Sequence, residues 1–290
     1  MKRLILILIV FVLAGCATPR IDRSYTAKSQ DSRIQYLILH YTADNFEPSL
    51  KVLTQGPVSA HYLVDDKPVA IYGLVDDSQR AYHAGVSYWH GDTSLNASSI
   101  GIEIVNRGFI DDKNMPGAKI YFDFPPEQID AVLALAKKIV AQYHIKPEHV
   151  LGHSDIAPQR KYDPGPRFPW KRFADAGLIV WPNADTVAAR KPLFEQNLPD
   201  AQWFQARLAQ HGYQVMQSAV WDLQTRNVLA AFQMKYRPSL FDGVPDAESA
   251  AMLDTLTSPL LPSPPQLPPQ LPPPSPILLQ PSGSAAAAPR

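Results

Sequence analysis

Ile34-Gln35-Tyr36-Leu37-Ile38-Leu39-His40-Tyr41 is a nearly continuous apolar run rich in β-formers. Such a run reads as a central strand buried on both faces. Working outward, Ala60–Val64, Val69–Leu74 and Ser99–Val105 read as further strands, with Asp65-Asp66-Lys67-Pro68 turning between the first two. Glu127–Tyr143 carries Ile129, Val132, Leu133, Ala136, Ile139, Val140 and Tyr143 at helical spacing, and Pro125-Pro126 suits its start. Strands interleaved with an amphipathic helix predict an α/β fold, a sheet covered by helices, over residues 31–180.

Beyond this region the texture changes. Residues 181–196 mix Pro182 and Pro192 with short apolar pieces and read as a linker. In residues 197–257, Trp203, Phe204, Leu208 and Tyr213 fit one amphipathic helix ending near Gly212. Leu223, Val228, Leu229, Phe232 and Met234 fit a second, and Ala247–Leu256 a third, giving a small all-α domain of three helices. From Ser258 to Arg290, 12 of 33 residues are proline, so this tail cannot bury a core and reads as disordered.

The chain has 290 residues, 27 basic against 27 acidic, and formal net charge zero. That balance offers no bulk basic field for nucleic acid. A single cysteine, Cys16, excludes an intrachain disulfide and any cysteine-rich metal cluster. Lys2 and Arg3 precede an apolar run, Leu4–Ala14, shorter than the ~20 residues of a membrane-spanning helix. Leu13-Ala14-Gly15-Cys16 resembles the bacterial lipoprotein signal. The resemblance implies a signal peptide over 1–15, a lipidated (palmitate-bearing) Cys16 and a polar tether over 16–30. Ala17 after the cysteine favours the outer membrane, with the protein facing the periplasm.

Two histidines stand where chemistry is placed in α/β sheets. His40 ends the first buried strand before Thr42-Ala43-Asp44, and His153 ends the apolar stretch Val150-Leu151-Gly152 before another polar loop. Asp163 follows ten residues later. Two imidazoles and a carboxylate can hold a catalytic zinc and leave a fourth position to water. Glu103, between Ile102 and Ile104 on a core strand, is costly there unless paired or functional. Beside a metal it would be the general base, and an edge-strand glutamate is the alternative. Lys161 is a candidate to stabilise charge developing on a carbonyl oxygen, or is solvated surface.

Six stretches occur in one order: His40-Tyr41-Thr42-Ala43, Val58-Ser59-Ala60-His61-Tyr62-Leu63-Val64, His83-Ala84-Gly85, Ser99-Ile100-Gly101-Ile102-Glu103, Gly152-His153-Ser154-Asp155-Ile156-Ala157 and Lys161-Tyr162-Asp163-Pro164-Gly165-Pro166. Together they resemble the zinc-dependent N-acetylmuramoyl-L-alanine amidases of the type 2 family, across nearly all of 31–180. The resemblance implies a mixed sheet flanked by helices and one zinc per chain held by His40, His153 and Asp163. It implies Glu103 as catalytic carboxylate and Lys161 near the scissile carbonyl. The implied substrates are peptidoglycan and muropeptides, cut between N-acetylmuramic acid (or its anhydro form) and L-alanine. A non-catalytic receptor on this fold would lack a zinc ligand; a peptidase cutting within the stem peptide would use the same chemistry and stays open.

The helical domain, through Leu208, Gly212-Tyr213, Thr225, Val228, Ala231-Phe232-Gln233 and Asp242-Gly243, resembles a peptidoglycan-binding module, although the glycine-rich turn before its second helix is missing in Ser218–Asp222. As a separate module, its removal with the tail (197–290) would spare cleavage of small soluble muropeptides and weaken action on sacculi. His83 and Trp89 are candidates to line the substrate groove. His61 and Tyr62 are candidates to orient the ligands from behind. His144, His149 and His211 are assigned no role.

Overall fold

The computed structural model describes residues 21–115 and 118–258. The signal segment, Cys16 and the tail beyond Ser258 lie outside the described residues. In chain order the first half contains β1 (Tyr36–Tyr41), α1 (Phe46–Gln55), β2 (Tyr62–Val64), β3 (Ile71–Gly73), α2 (Leu95–Ser98), β4 (Ser99–Ile104), β5 (Phe109–Asp111), β6 (Lys119–Tyr121) and α3 (Pro126–Tyr143). There follow β7 (Val150–Gly152), α4 (His153–Ile156), α5 (Trp170–Asp175), α6 (Ala184–Gln196), α7 (Ala201–His211), α8 (Leu223–Tyr236) and α9 (Ala247–Thr257). Among the described residues no helix is long and apolar enough to cross a membrane.

The five-stranded sheet has the order β3-β2-β4-β1-β7. β2, β4, β1 and β7 run parallel, while edge strand β3 runs antiparallel to β2, so the sheet is mixed. β5 and β6 form a separate antiparallel pair, which no apolar pattern in the sequence marks.

Alternation along the strands divides the side chains between two faces. Leu37 and Leu39 of β1, Ile100, Ile102 and Ile104 of β4, and Val150 pack with Val132, Ala136 and Ile139 of α3 and Phe173 of α5. Pro126 opens α3, where its missing N–H costs no hydrogen bond. Tyr36 and Ile38 of β1 and Leu151 of β7 point the other way. They share a cluster with Phe204, Leu208, Val228, Leu229 and Phe232, all from the C-terminal helices.

Those helices begin alike. Asp200, Asp222 and Asp246 each accept a hydrogen bond from the backbone N–H three residues on, capping α7, α8 and α9. Asn183 does the same for α6, which corrects the reading of 181–196 as a plain linker. α6 buries no residue and contains Pro192, so it carries no apolar stripe to reveal it. It is held from outside, by the Arg190–Asp254 ion pair at 2.9 Å and by Phe194 against Trp203.

Candidate metal centre and active site

The register of the sheet assembles the site. His40 on β1 pairs with Glu103 on β4, and Leu39 pairs with Gly152 on β7. His153, the next residue, therefore comes level with His40, and three chemically active side chains stand in a row at the carboxyl ends of three parallel strands. Asp163 arrives from the loop after α4, whose path is fixed where the Ser154 N–H donates to the Asp163 carbonyl at 2.8 Å.

His40 Nδ1, His153 Nδ1 and Asp163 Oδ2 converge. They stand 3.0 Å (His40–His153), 3.0 Å (His40–Asp163) and 3.1 Å (His153–Asp163) apart, and all three residues are buried. Hydrogen-bond chemistry assigns the protons. The Leu95 carbonyl can only accept, so Ser99 Oγ donates to it. Ser99 Oγ then accepts from His83 Nε2 at 3.2 Å, and His83 Nδ1 accepts from His40 Nε2 at 3.0 Å. His40 Nδ1 is left as a bare lone pair. His153 Nε2 donates to the Ala84 carbonyl at 3.1 Å, which bares its Nδ1 as well.

Two lone-pair nitrogens and a carboxylate oxygen facing one another repel unless a cation lies between them. Ligand atoms ~2.0–2.1 Å from a tetrahedral zinc stand roughly 3.3 Å apart, near the observed spacing. The donor set therefore fits the ion. Among the described residues this is the one group of three or more such side chains gathered in this way.

The electrostatics agree. Burial, reinforced by His153, lowers His40 to about 4, so its ring stays neutral and able to ligate. Burial and the surrounding imidazoles hold His83 well below its ordinary value. Burial would raise Asp163, but His153 and His40 outweigh it and keep the carboxyl below the usual carboxylate range. Glu103 goes the opposite way: burial first, then the charge of Asp163, push it well above its ordinary value, with Lys161 opposing. Glu103 Oε2 is buried with no hydrogen-bond partner among the described residues. Glu103, His153, Lys161 and Asp163 line one cavity of about 330 Å³ together with Tyr41, Tyr82 and His83. A larger recess of about 830 Å³ at Arg33, Asp76 and Tyr143 lies apart from these groups.

Of the other candidates, His83 lines the cavity but bonds His40, so its ring is tied to that imidazole rather than serving as a plain groove wall. Its ring lies over Gly101, where a Cβ would come within 2.5 Å of it. His61 Nδ1 accepts from the Gly101 N–H at 3.0 Å, and its ring is 5.7 Å from that of His83. Tyr62 does not join the site. It pairs with Ile102, hence shares the α3 side of the sheet, and its hydroxyl donates to Asp77. Trp89 is not in the groove either: it is 2 % exposed, its indole N–H donates to the Glu148 carbonyl, and Gly212 packs on its ring. Asn96, not among the sequence candidates, supports the loop carrying Trp89: its side-chain oxygen accepts from the N–H groups of His83 and Ala84. Arg160 does so too, its guanidinium donating to the Ala84 and Val86 carbonyls. A polar side chain bonding only backbone leaves no pattern in a sequence.

Residues 30–166 match the family described as N-acetylmuramoyl-L-alanine amidase, and residues 197–253 match a putative peptidoglycan binding domain. The N-acetylmuramoyl-L-alanine amidase AmiD of Escherichia coli (strain K12) is 42% identical over 270 residues, covering 87% of this chain and 95% of that protein. Its solved complex with the substrate anhydro-N-acetylmuramic acid-L-Ala-D-gamma-Glu-L-Lys matches 81% of this chain and 93% of its own, with TM-score 0.74 and 41% identity. AmpDh3 from Pseudomonas aeruginosa, in complex with anhydromuramic pentapeptide, matches 82% of this chain and 97% of its own, with TM-score 0.76 and 38% identity. With a relative this similar along nearly its whole length, and with both halves of the fold shared, the chain belongs to the N-acetylmuramoyl-L-alanine amidase family.

Proposed function

We propose that the protein hydrolyses the amide between N-acetylmuramic acid, or its anhydro form, and L-alanine in peptidoglycan and muropeptides, in cell-wall turnover. The row of Glu103, His40 and His153 with Asp163, of which Glu103, His153 and Asp163 line one cavity, carries this reading within an amidase fold. His40, His153 and Asp163 would hold one zinc ion, which when bound supplies Lewis acidity, acidifying water and polarising the scissile carbonyl.

Glu103 takes a proton from the attacking water as its oxygen bonds to the carbonyl carbon. Its raised proton affinity suits it to keep that proton and pass it to the nitrogen as the C–N bond breaks. The products are the carboxylate on the sugar's lactyl group and the free amine of L-alanine. Lys161, on the cavity wall, offsets negative charge on the carbonyl oxygen. Mass spectrometry of digested muropeptides tests the assignment: free stem peptides with intact sugars support it, and cuts within the stem peptide refute it.

The relatives' substrates and the putative peptidoglycan binding domain support action in the cell envelope. Residues 31–180 would form the catalytic domain and 197–257 the wall-facing helical domain, with Cys16 carrying the lipid that anchors the protein to the outer membrane. Cys16→Ser should then leave the protein soluble in the periplasm, and its persistence in the membrane fraction would remove the anchor.

A further inference from the structure

His153 is held from two directions, and both lead to the C-terminal helices. The first is its backbone. Asp155, 1 % exposed, accepts the Gly152 N–H on Oδ2 at 2.8 Å and so closes the turn from which the His153 side chain projects. Lys235 Nζ of α8 donates to the same oxygen at 2.7 Å, and the hydroxyl of Tyr213, just past α7, donates to Oδ1 at 2.8 Å. Lys235 and Tyr213 are buried with it, and the Lys235 ammonium also sits 4.5 Å over the Trp170 ring. The second is the Ala84 carbonyl that accepts the His153 Nε2–H. It belongs to the loop carrying Trp89 and His90. There the His90 N–H donates to the Gly212 carbonyl at 3.0 Å, and Gly212 lies so close to Trp89 that a Cβ would come within 2.6 Å of the indole.

An apolar pair of similar volume would join the two halves without the desolvation cost of a buried ammonium and carboxylate. What charge and hydrogen bonds add is direction, since Asp155 can satisfy three donors in only one orientation. We propose that Lys235 and Tyr213 are positioning residues for His153, so that the C-terminal helices set the aim of one metal ligand. This rests on reading His153 as a ligand.

Three full-length variants test it, each scored by zinc dissociation constant in competition with a chelator and by the urea midpoint of the metal-free protein. Lys235→Met should weaken zinc binding about 10–100-fold, the range found when a group supporting a ligand is removed. Tyr213→Phe keeps the ring packed and removes only the hydroxyl, so it reads the same effect, in smaller degree, even if Lys235→Met fails to fold. Leu253→Ala, in the interior of α9 and away from Asp155, should lower the urea midpoint and leave zinc affinity unchanged. Unchanged affinity in Tyr213→Phe, or an equal loss in Leu253→Ala, overturns the proposal. A parent chain that binds no zinc, or a His153→Ala variant that binds it fully, instead overturns the ligand reading beneath it.

Discussion

The two faces of the central sheet are built to different rules. The α3 face is mainly aliphatic and aromatic, with buried Gln128 of α3 donating to the Val64 and Val105 carbonyls, and the elements that cover it come from residues 126–175. The opposite face carries Glu103 and His40 at its upper end, Gly101 and Ile38 side by side below them, and Tyr36 lower still. It is closed in large part by helices that begin only at residue 201. One face stores stability chiefly in apolar area; the other combines apolar area with buried polar and charged groups whose orientation matters. Lesions on the two faces should therefore separate stability from chemistry.

The largest effect should come from uncovering the second face entirely. Removing residues 197–290 strips the cover from Tyr36, Ile38 and Leu151 and both C-terminal partners from Asp155. Activity on small soluble muropeptides should be lost together with activity on sacculi. This reverses the outcome expected of a detachable module, and retained cleavage of soluble muropeptides would show that the catalytic half stands alone.

Next comes Glu103→Gln, which keeps shape and removes the base. We expect kcat to fall ~10²–10⁴-fold, with zinc content and urea midpoint near those of the parent. A variant that stays active with zinc bound would make Glu103 a structural carboxylate. On the other face, Ile139→Ala should do the converse. It should cost ~2–5 kcal/mol of stability with zinc affinity unchanged, measured by urea unfolding and chelator competition. A coupled loss of zinc would mean that the two faces are not independent.

The smallest expected effect concerns acid. His211 is half-buried among Trp89, Tyr213, Phe232 and Tyr236, and desolvation first, then the Lys235 ammonium, lower it to about 3, with Asp155 opposing and His90 adding. The unfolded chain takes up this proton near pH 6.5, the folded one only near 3. Stability should thus be complete above pH 6.5 and decline as the pH falls from 6.5 toward 3. His211→Gln should flatten that part of the slope, and an unchanged slope would assign it to other groups.

How far the sequence could be read follows the same division. β1 is legible as a nearly unbroken apolar run, β4 and α3 because apolar side chains repeat with the period of the element, and His40, Glu103 and His153 stand out against that background. Tyr62 misled because it neighbours His61, yet adjacent strand residues face opposite ways, and its pairing with Ile102 places it on the α3 side. Trp89 misled because a large aromatic suits a sugar groove and an interior joint equally, and only the approach of Gly212 decides between them. α6 was invisible because its apolar residues gather on no one face and Pro192 interrupts it. The hold on Asp155 was invisible because its partners lie 58 and 80 residues away.

That separation of 80 residues between Asp155 and Lys235 also has a temporal side. A chain is made from its N-terminus at about 5–20 residues per second. Roughly 4–16 s therefore pass between the synthesis of Asp155 and that of the lysine that pairs with it. Throughout that interval the turn bearing His153 lacks its ammonium partner, and the nascent hydrolase is an unfinished tool. A wall-cutting enzyme assembled in this order reaches its finished form only after most of its length has been made.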